Sequence, residues 1–119
     1  MIIAAGIFDV IFAVFHLTFE TTFGWKRDLA HLRPVNAAIM RVMNLCLAWL
    51  FLLSGWVLVK HAGEVMSTEL GRCLLAGLSI LWWSRMVEQP IFFGLRWASN
   101  AFTAVFLLGA LLHTLAFFS

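Results

Sequence analysis

Long apolar runs, separated by brief polar breaks, fill nearly the whole chain: Ile2 to Phe23, Pro34 to Val59, Leu70 to Phe93 and Trp97 to Phe118. Each exceeds the ~20 residues that a helix needs to cross the hydrocarbon layer of a bilayer, and none alternates strictly as a barrel strand would. The pattern predicts an all-α membrane protein, a transmembrane up-down bundle of four helices forming a single domain over residues 1–119. The first run carries Asp9, His16 and Glu20 and lacks a basic leader, so it is expected to be a retained span rather than a signal peptide.

The breaks suit helix ends. Gly24, followed by Lys26 and Arg27, fits a left-handed cap with cations at the carbonyl end of the helix dipole. Pro34 can open the second helix, because a first-turn residue has no use for its N–H. Thr68 with Glu69 reads as an N-cap and acidic first turn, and Gly94 as the end of the third helix. The connections are then short except Gly24 to Arg33, where Trp25, Leu29 and Leu32 are placed along the membrane interface.

Composition supports the membrane. Of 119 residues 63% are hydrophobic and 12% charged, with a mean hydropathy of +0.97, against about half apolar and a quarter charged in soluble domains. A chain this short has too much surface for so few polar groups to cover. The net charge of +2 and scattered basic residues exclude a nucleic-acid footprint. Lys26, Arg27, Arg33 and Arg96 lie on one side, with Arg41 and Arg85 close by, and only Lys60 and Arg72 on the other. By the positive-inside rule both termini face away from the cytoplasm.

Polar residues inside the spans carry the functional information, since a central Asp costs an inserting helix about 2.5–3.5 kcal/mol. Asp9, His16 and Glu20 share a stripe about 40° wide, which implies one buried face. Helix direction places His16, Glu20, Arg41, Asn44, Arg85, Glu88 and Asn100 in one leaflet, and Asp9 and His113 in the other. His16, Glu20, Asn44, Arg85 and Glu88 are therefore the candidate polar cluster or ligand site, beside a kink expected at Pro90. The same groups could instead neutralise one another and set helix packing. Asn44 and Asn100 read as interhelical hydrogen-bonding groups. Asp9 and His113 either pair or sit at the outer interface, and no function is assigned to them. Trp82 and Trp83 cannot both point inward.

Cys46 and Cys73 have no paired spacing and read as buried thiols. No metal motif is present, and a single His-x-x-x-Glu does not meet the needs of a dinuclear site. A haem held by both His16 and His113 is disfavoured by a depth difference of roughly 13 Å. Ligation of a haem or chlorin by one His stays open.

The whole chain, with His16, Gly24-Trp25-Lys26-Arg27-Asp28-Leu29, Asn44-Leu45-Cys46, Glu88-Gln89 and Phe92-Phe93-Gly94-Leu95, resembles a group of small bacterial four-span membrane proteins of unassigned function. That resemblance implies a bacterial inner-membrane location. His16-Leu17-Thr18-Phe19-Glu20 with Trp25-Lys26 resembles the His-x-x-x-Glu segment of the EXPERA family, which contains sterol isomerases and sterol-binding proteins. The expected function is a non-catalytic accessory subunit or a binder of a lipophilic ligand. The alternatives are an intramembrane enzyme using His16 and Glu88 for acid/base chemistry on an apolar substrate, and a small proton-coupled transporter. The expected partners are membrane lipid and a second copy or a larger membrane complex, with no nucleic acid.

Overall fold

The computed structural model describes residues 1–119 and is helical over 90% of them, with no strand. Its α-helices are α1 (Ile2–Leu17), α2 (Phe19–Thr22), α3 (Trp25–Asp28), α4 (Pro34–Lys60), α5 (Ala62–Ser67), α6 (Glu69–Phe93) and α7 (Trp97–Phe118), and a 3-10 turn covers Leu29–His31. Two of them, α4 and α7, are long and apolar enough to cross a membrane. Of the other long helices, α1 is apolar but only 16 residues long, and α6, with 25 residues, carries Glu69, Arg72, Arg85 and Glu88.

The helix ends follow local chemistry. Gly24 adopts φ +62°, the left-handed conformation in which a glycine has no Cβ to clash, and it turns the chain into α3. Pro34 opens α4. The Thr68 hydroxyl accepts the Gly71 N–H at 3.0 Å and so caps α6. Gly94, at φ +78°, ends α6 after the helix has continued through Pro90.

Two connections differ from expectation. The first run is not one helix to Phe23: Thr18 interrupts it, donating both its N–H (3.0 Å) and its hydroxyl (2.7 Å) to the Phe15 carbonyl. That bonding tightens the turn and breaks the i→i−4 ladder before α2 resumes. Between α4 and α6 the chain forms α5 instead of a simple loop, because Val65 has an apolar site to fill beside Leu58, Leu75 and Ala116. In the long first connection Leu29 is buried rather than spread along an interface.

α1 lies along α4, α6 lies along α7, and the two pairs meet where α1 touches α7. Gly6 and Gly55 let the α1 and α4 backbones approach closely: a Cβ on Gly55 would stand 2.6 Å from the Gly6 carbonyl oxygen. Between the pairs lies an aromatic core of Phe8, Phe12, Phe51, Trp82 and Phe106, in which Phe51 of α4 stacks on Trp82 of α6 at 5.2 Å. A small polar centre is set in this apolar core, and large apolar side chains also cover the outside. Asp9 and His113 are completely enclosed, while Ile11, Trp49, Leu50, Ile80 and Phe118 stand in the open.

Candidate functional site

His16 and Asn44 join α1 to α4. The Asn44 amide nitrogen donates to the His16 carbonyl oxygen at 2.8 Å, and the Asn44 carbonyl oxygen faces His16 Nδ1 at 2.7 Å. The break at Thr18 leaves that backbone carbonyl without its helical partner, so the Asn44 side chain replaces one lost ladder bond. The imidazole is also stacked on Phe19, with centroids 4.5 Å apart, and lies 5.4 Å from the Phe51 ring.

The other members of the expected cluster bond to other partners, although the charge of Arg85 reaches His16. Glu20 accepts from Arg41 Nε at 2.5 Å on the half-exposed flank of α4. Arg85 donates to Glu88 at 2.8 Å and to Gln89 at 3.4 Å along α6, lies 4.6 Å over the Phe106 ring, and Gln89 continues to Ser99 of α7 at 3.3 Å. No hydrogen bond or ion pair links His16 or Glu20 to Arg85 or Glu88, so the expected single cluster of His16, Glu20, Asn44, Arg85 and Glu88 divides into an α1–α4 group and an α6–α7 group. Asn100 is exposed and makes no side-chain bond. The Arg85–Glu88 pair is an i,i+3 contact with half-open side chains, so Glu88→Gln is expected to shift the unfolding free energy by less than about 1 kcal/mol. Chemical denaturation in detergent measures this; a larger loss would show that the pair holds the fold.

The most enclosed polar group is one to which sequence reasoning assigned no function. Asp9 of α1 accepts the indole N–H of Trp82 (α6) at 3.1 Å and the hydroxyl of Ser54 (α4) at 2.9 Å, and its Oδ2 lies 3.3 Å from His113 Nε2 (α7). All four long helices thus meet on one carboxyl group. His113 Nδ1 lies 2.8 Å from the Gly109 carbonyl, which can only accept, so Nδ1 carries a proton. Nε2 is then the ring atom that faces Asp9 Oδ2 across the 3.3 Å contact. Such pairing matters because an isolated ion in a dry interior costs several kcal/mol. The signals available in the sequence were the common stripe of Asp9 and His16 and the common depth of Asp9 and His113. Trp82 is the inward member of its pair, and Trp83 donates to Thr114 at 2.9 Å.

Cys46 and Cys73 are exposed on outer helix faces, not buried as expected, because each lies opposite the face its helix turns toward its neighbours. No three His, Cys, Asp or Glu side chains gather as a metal site. No family model, curated protein or solved structure matches the chain.

Proposed function

We propose that the chain is a small integral membrane protein that crosses a bacterial inner membrane four times, with both termini on the non-cytoplasmic side, and serves as a non-catalytic binder of a lipophilic ligand. The observation that carries this reading is the apolar exterior around a polar centre: Asp9 and His113 are completely enclosed while large apolar side chains cover the outer faces of every long helix. Such a surface suits lipid, and four helices closing on a polar centre suit a multi-span bundle. Every enclosed side-chain polar atom already has a hydrogen-bond partner within the protein. Acid/base chemistry by His16 and Glu88 together has less support, because the two share no bond and Glu88 is engaged with Arg85. Proton-coupled transport has one observation in its favour, the enclosed 3.3 Å contact of Asp9 Oδ2 with His113 Nε2.

The membrane part predicts that the protein stays in the pellet after an alkaline carbonate wash. Recovery in the supernatant would overturn it. Organic extraction of protein purified in mild detergent is expected to release one lipophilic compound in stoichiometric amount. Its absence would remove the binding role and leave that of an accessory subunit.

A further inference from the structure

We infer that the outer face of α6 docks a second copy of this chain, side by side and in parallel, with Ser84 of each copy at the centre of the contact. The inference rests on the membrane-spanning reading above. α6 turns Trp82 into the core and packs on α5 and α7. On its opposite face Cys73, Gly77, Ile80, Ser84, Val87 and Ile91 follow one another at alternate steps of four and three residues, and all six are exposed. A mean step of 3.5 residues is the period of a seam between two helices that wrap around each other.

The seam carries a groove of about 460 Å³ lined by Ile80, Trp83, Ser84, Val87 and Glu88. The first four stand at i, i+3, i+4 and i+7, the set that makes a hole for one side chain of a facing helix. Trp83 is held in place as a wall of that hole by its 2.9 Å bond to Thr114 of α7. Two copies inserted with one topology can be related only by an axis along the membrane normal, so each residue meets the depth of its own equivalent. The side chain level with the middle of this hole is therefore the partner's Ser84. Its small size suits the hole, and an added Cβ on Gly77 would touch nothing within 4 Å, which leaves room for close approach one heptad earlier.

Hydrogen bonding favours a second copy over lipid. Ser54, Ser79, Ser99, Thr103 and Thr114, the other hydroxyls of the long helices, all have partners. Ser84 is exposed and makes no hydrogen bond. It lies about 14 Å by helical rise from the end of α6 at Phe93, close to the middle of a ~30 Å hydrocarbon layer. Lipid chains offer it neither donor nor acceptor. A hydroxyl is both, so two copies of Ser84 satisfy each other across the axis. Glu88, on the rim of the groove, is paired with Arg85, and the two side chains are 45% and 31% exposed. Covering them with protein removes a charged pair from lipid, and because each pair is neutral as a whole, bringing two together adds no net repulsion.

In membranes holding the full chain with Cys46→Ala and Cys73→Ala, Ser84→Cys and Ile80→Cys are oxidised with copper phenanthroline. Both are expected to give a disulfide-linked dimer, whereas Met43→Cys on α4 and Leu108→Cys on α7, outward residues at similar depth, give none above random collision. Energy transfer between donor- and acceptor-labelled chains in phosphatidylcholine–phosphatidylglycerol vesicles, followed as lipid is added, reads the affinity. Ser84→Ala should weaken association about threefold, and Ser84→Trp, which fills the hole, should abolish it. Thermal melts of the same variants are expected to match the parent because the face points outward; Ile80→Trp repeats the blocking test should Ser84→Trp fail to fold. Cross-linking equal at the control positions, or energy transfer no greater than random mixing, would overturn the assignment and leave the face to lipid or to a different membrane protein. Failure of the membrane reading is seen separately, in the carbonate wash.

Discussion

Replacing Asp9 by Leu is expected to destabilise the folded protein by about 3–5 kcal/mol, the cost typical of removing one member of a buried charge-capable pair. The substitution leaves the Trp82 indole N–H and His113 Nε2 enclosed without their partner, while the Ser54 hydroxyl keeps only the Phe51 carbonyl at 3.1 Å, and each orphaned group carries a desolvation penalty of its own. Asp9→Asn has a different outcome. Its carbonyl oxygen can still accept from Trp82, and its NH2 can donate to the lone pair of neutral His113, while Ser54 retains the Phe51 carbonyl at 3.1 Å. The Asn variant is expected to lose only about 1 kcal/mol. Unfolding of both variants in mixed micelles by a denaturing detergent checks this ordering. Equal losses would show that the charge, rather than the hydrogen-bond pattern, holds the centre together.

The second large effect is steric. Gly55→Ala places a Cβ 2.6 Å from both the Gly6 carbonyl oxygen and Val10 Cγ2. Backbone cannot yield as a flexible side chain does, so α1 and α4 must separate, at a cost of about 1–3 kcal/mol. Gly63→Ala is the matched control, because nothing lies within 4 Å of its added methyl; it is expected to be neutral or to stabilise by up to ~1 kcal/mol. Melting temperatures of the two variants, measured side by side, decide the point, and a Gly55→Ala protein as stable as its parent would refute the close contact.

Much of the helix layout was legible because its causes are local. Pro34, Thr68, Gly24 and Gly94 act within one turn of the chain, and each is found in the role its chemistry suggests. The break at Thr18 was not legible, since a threonine in an apolar run continues a helix unless its hydroxyl and N–H both turn back to the same carbonyl. α5 was hidden for another reason: Val65 is ordered by a site that exists only once α6 is in place.

At the candidate site, periodicity gives a side chain's direction relative to its own helix and rise gives its depth, but neither states which helix stands opposite. Depth correctly set Asp9 beside His113, and the structure selects their pairing over an interfacial position. It also set His16, Glu20, Arg85 and Glu88 at one level, where the hairpin arrangement divides them. The Asn44 grip on His16 depended on the carbonyl freed at Thr18, so it was no more visible than that break. The outward faces of Cys46 and Cys73 were lost for want of the neighbour's position.

Four crossings arranged around the Asp9 centre are tested most directly by substituted-cysteine labelling. In a background carrying Cys46→Ala and Cys73→Ala, single substitutions Arg27→Cys, Gly63→Cys, Leu95→Cys and Ser119→Cys probe the three connections and the C-terminal residue of the chain. A membrane-impermeant maleimide is applied to intact cells and to inverted membrane vesicles. Four crossings with the termini outside predict that Gly63→Cys and Ser119→Cys label only in cells, and Arg27→Cys and Leu95→Cys only in vesicles. Labelling of Gly63→Cys and Leu95→Cys from the same side, the pattern expected if only α4 and α7 crossed, would contradict a four-span bundle.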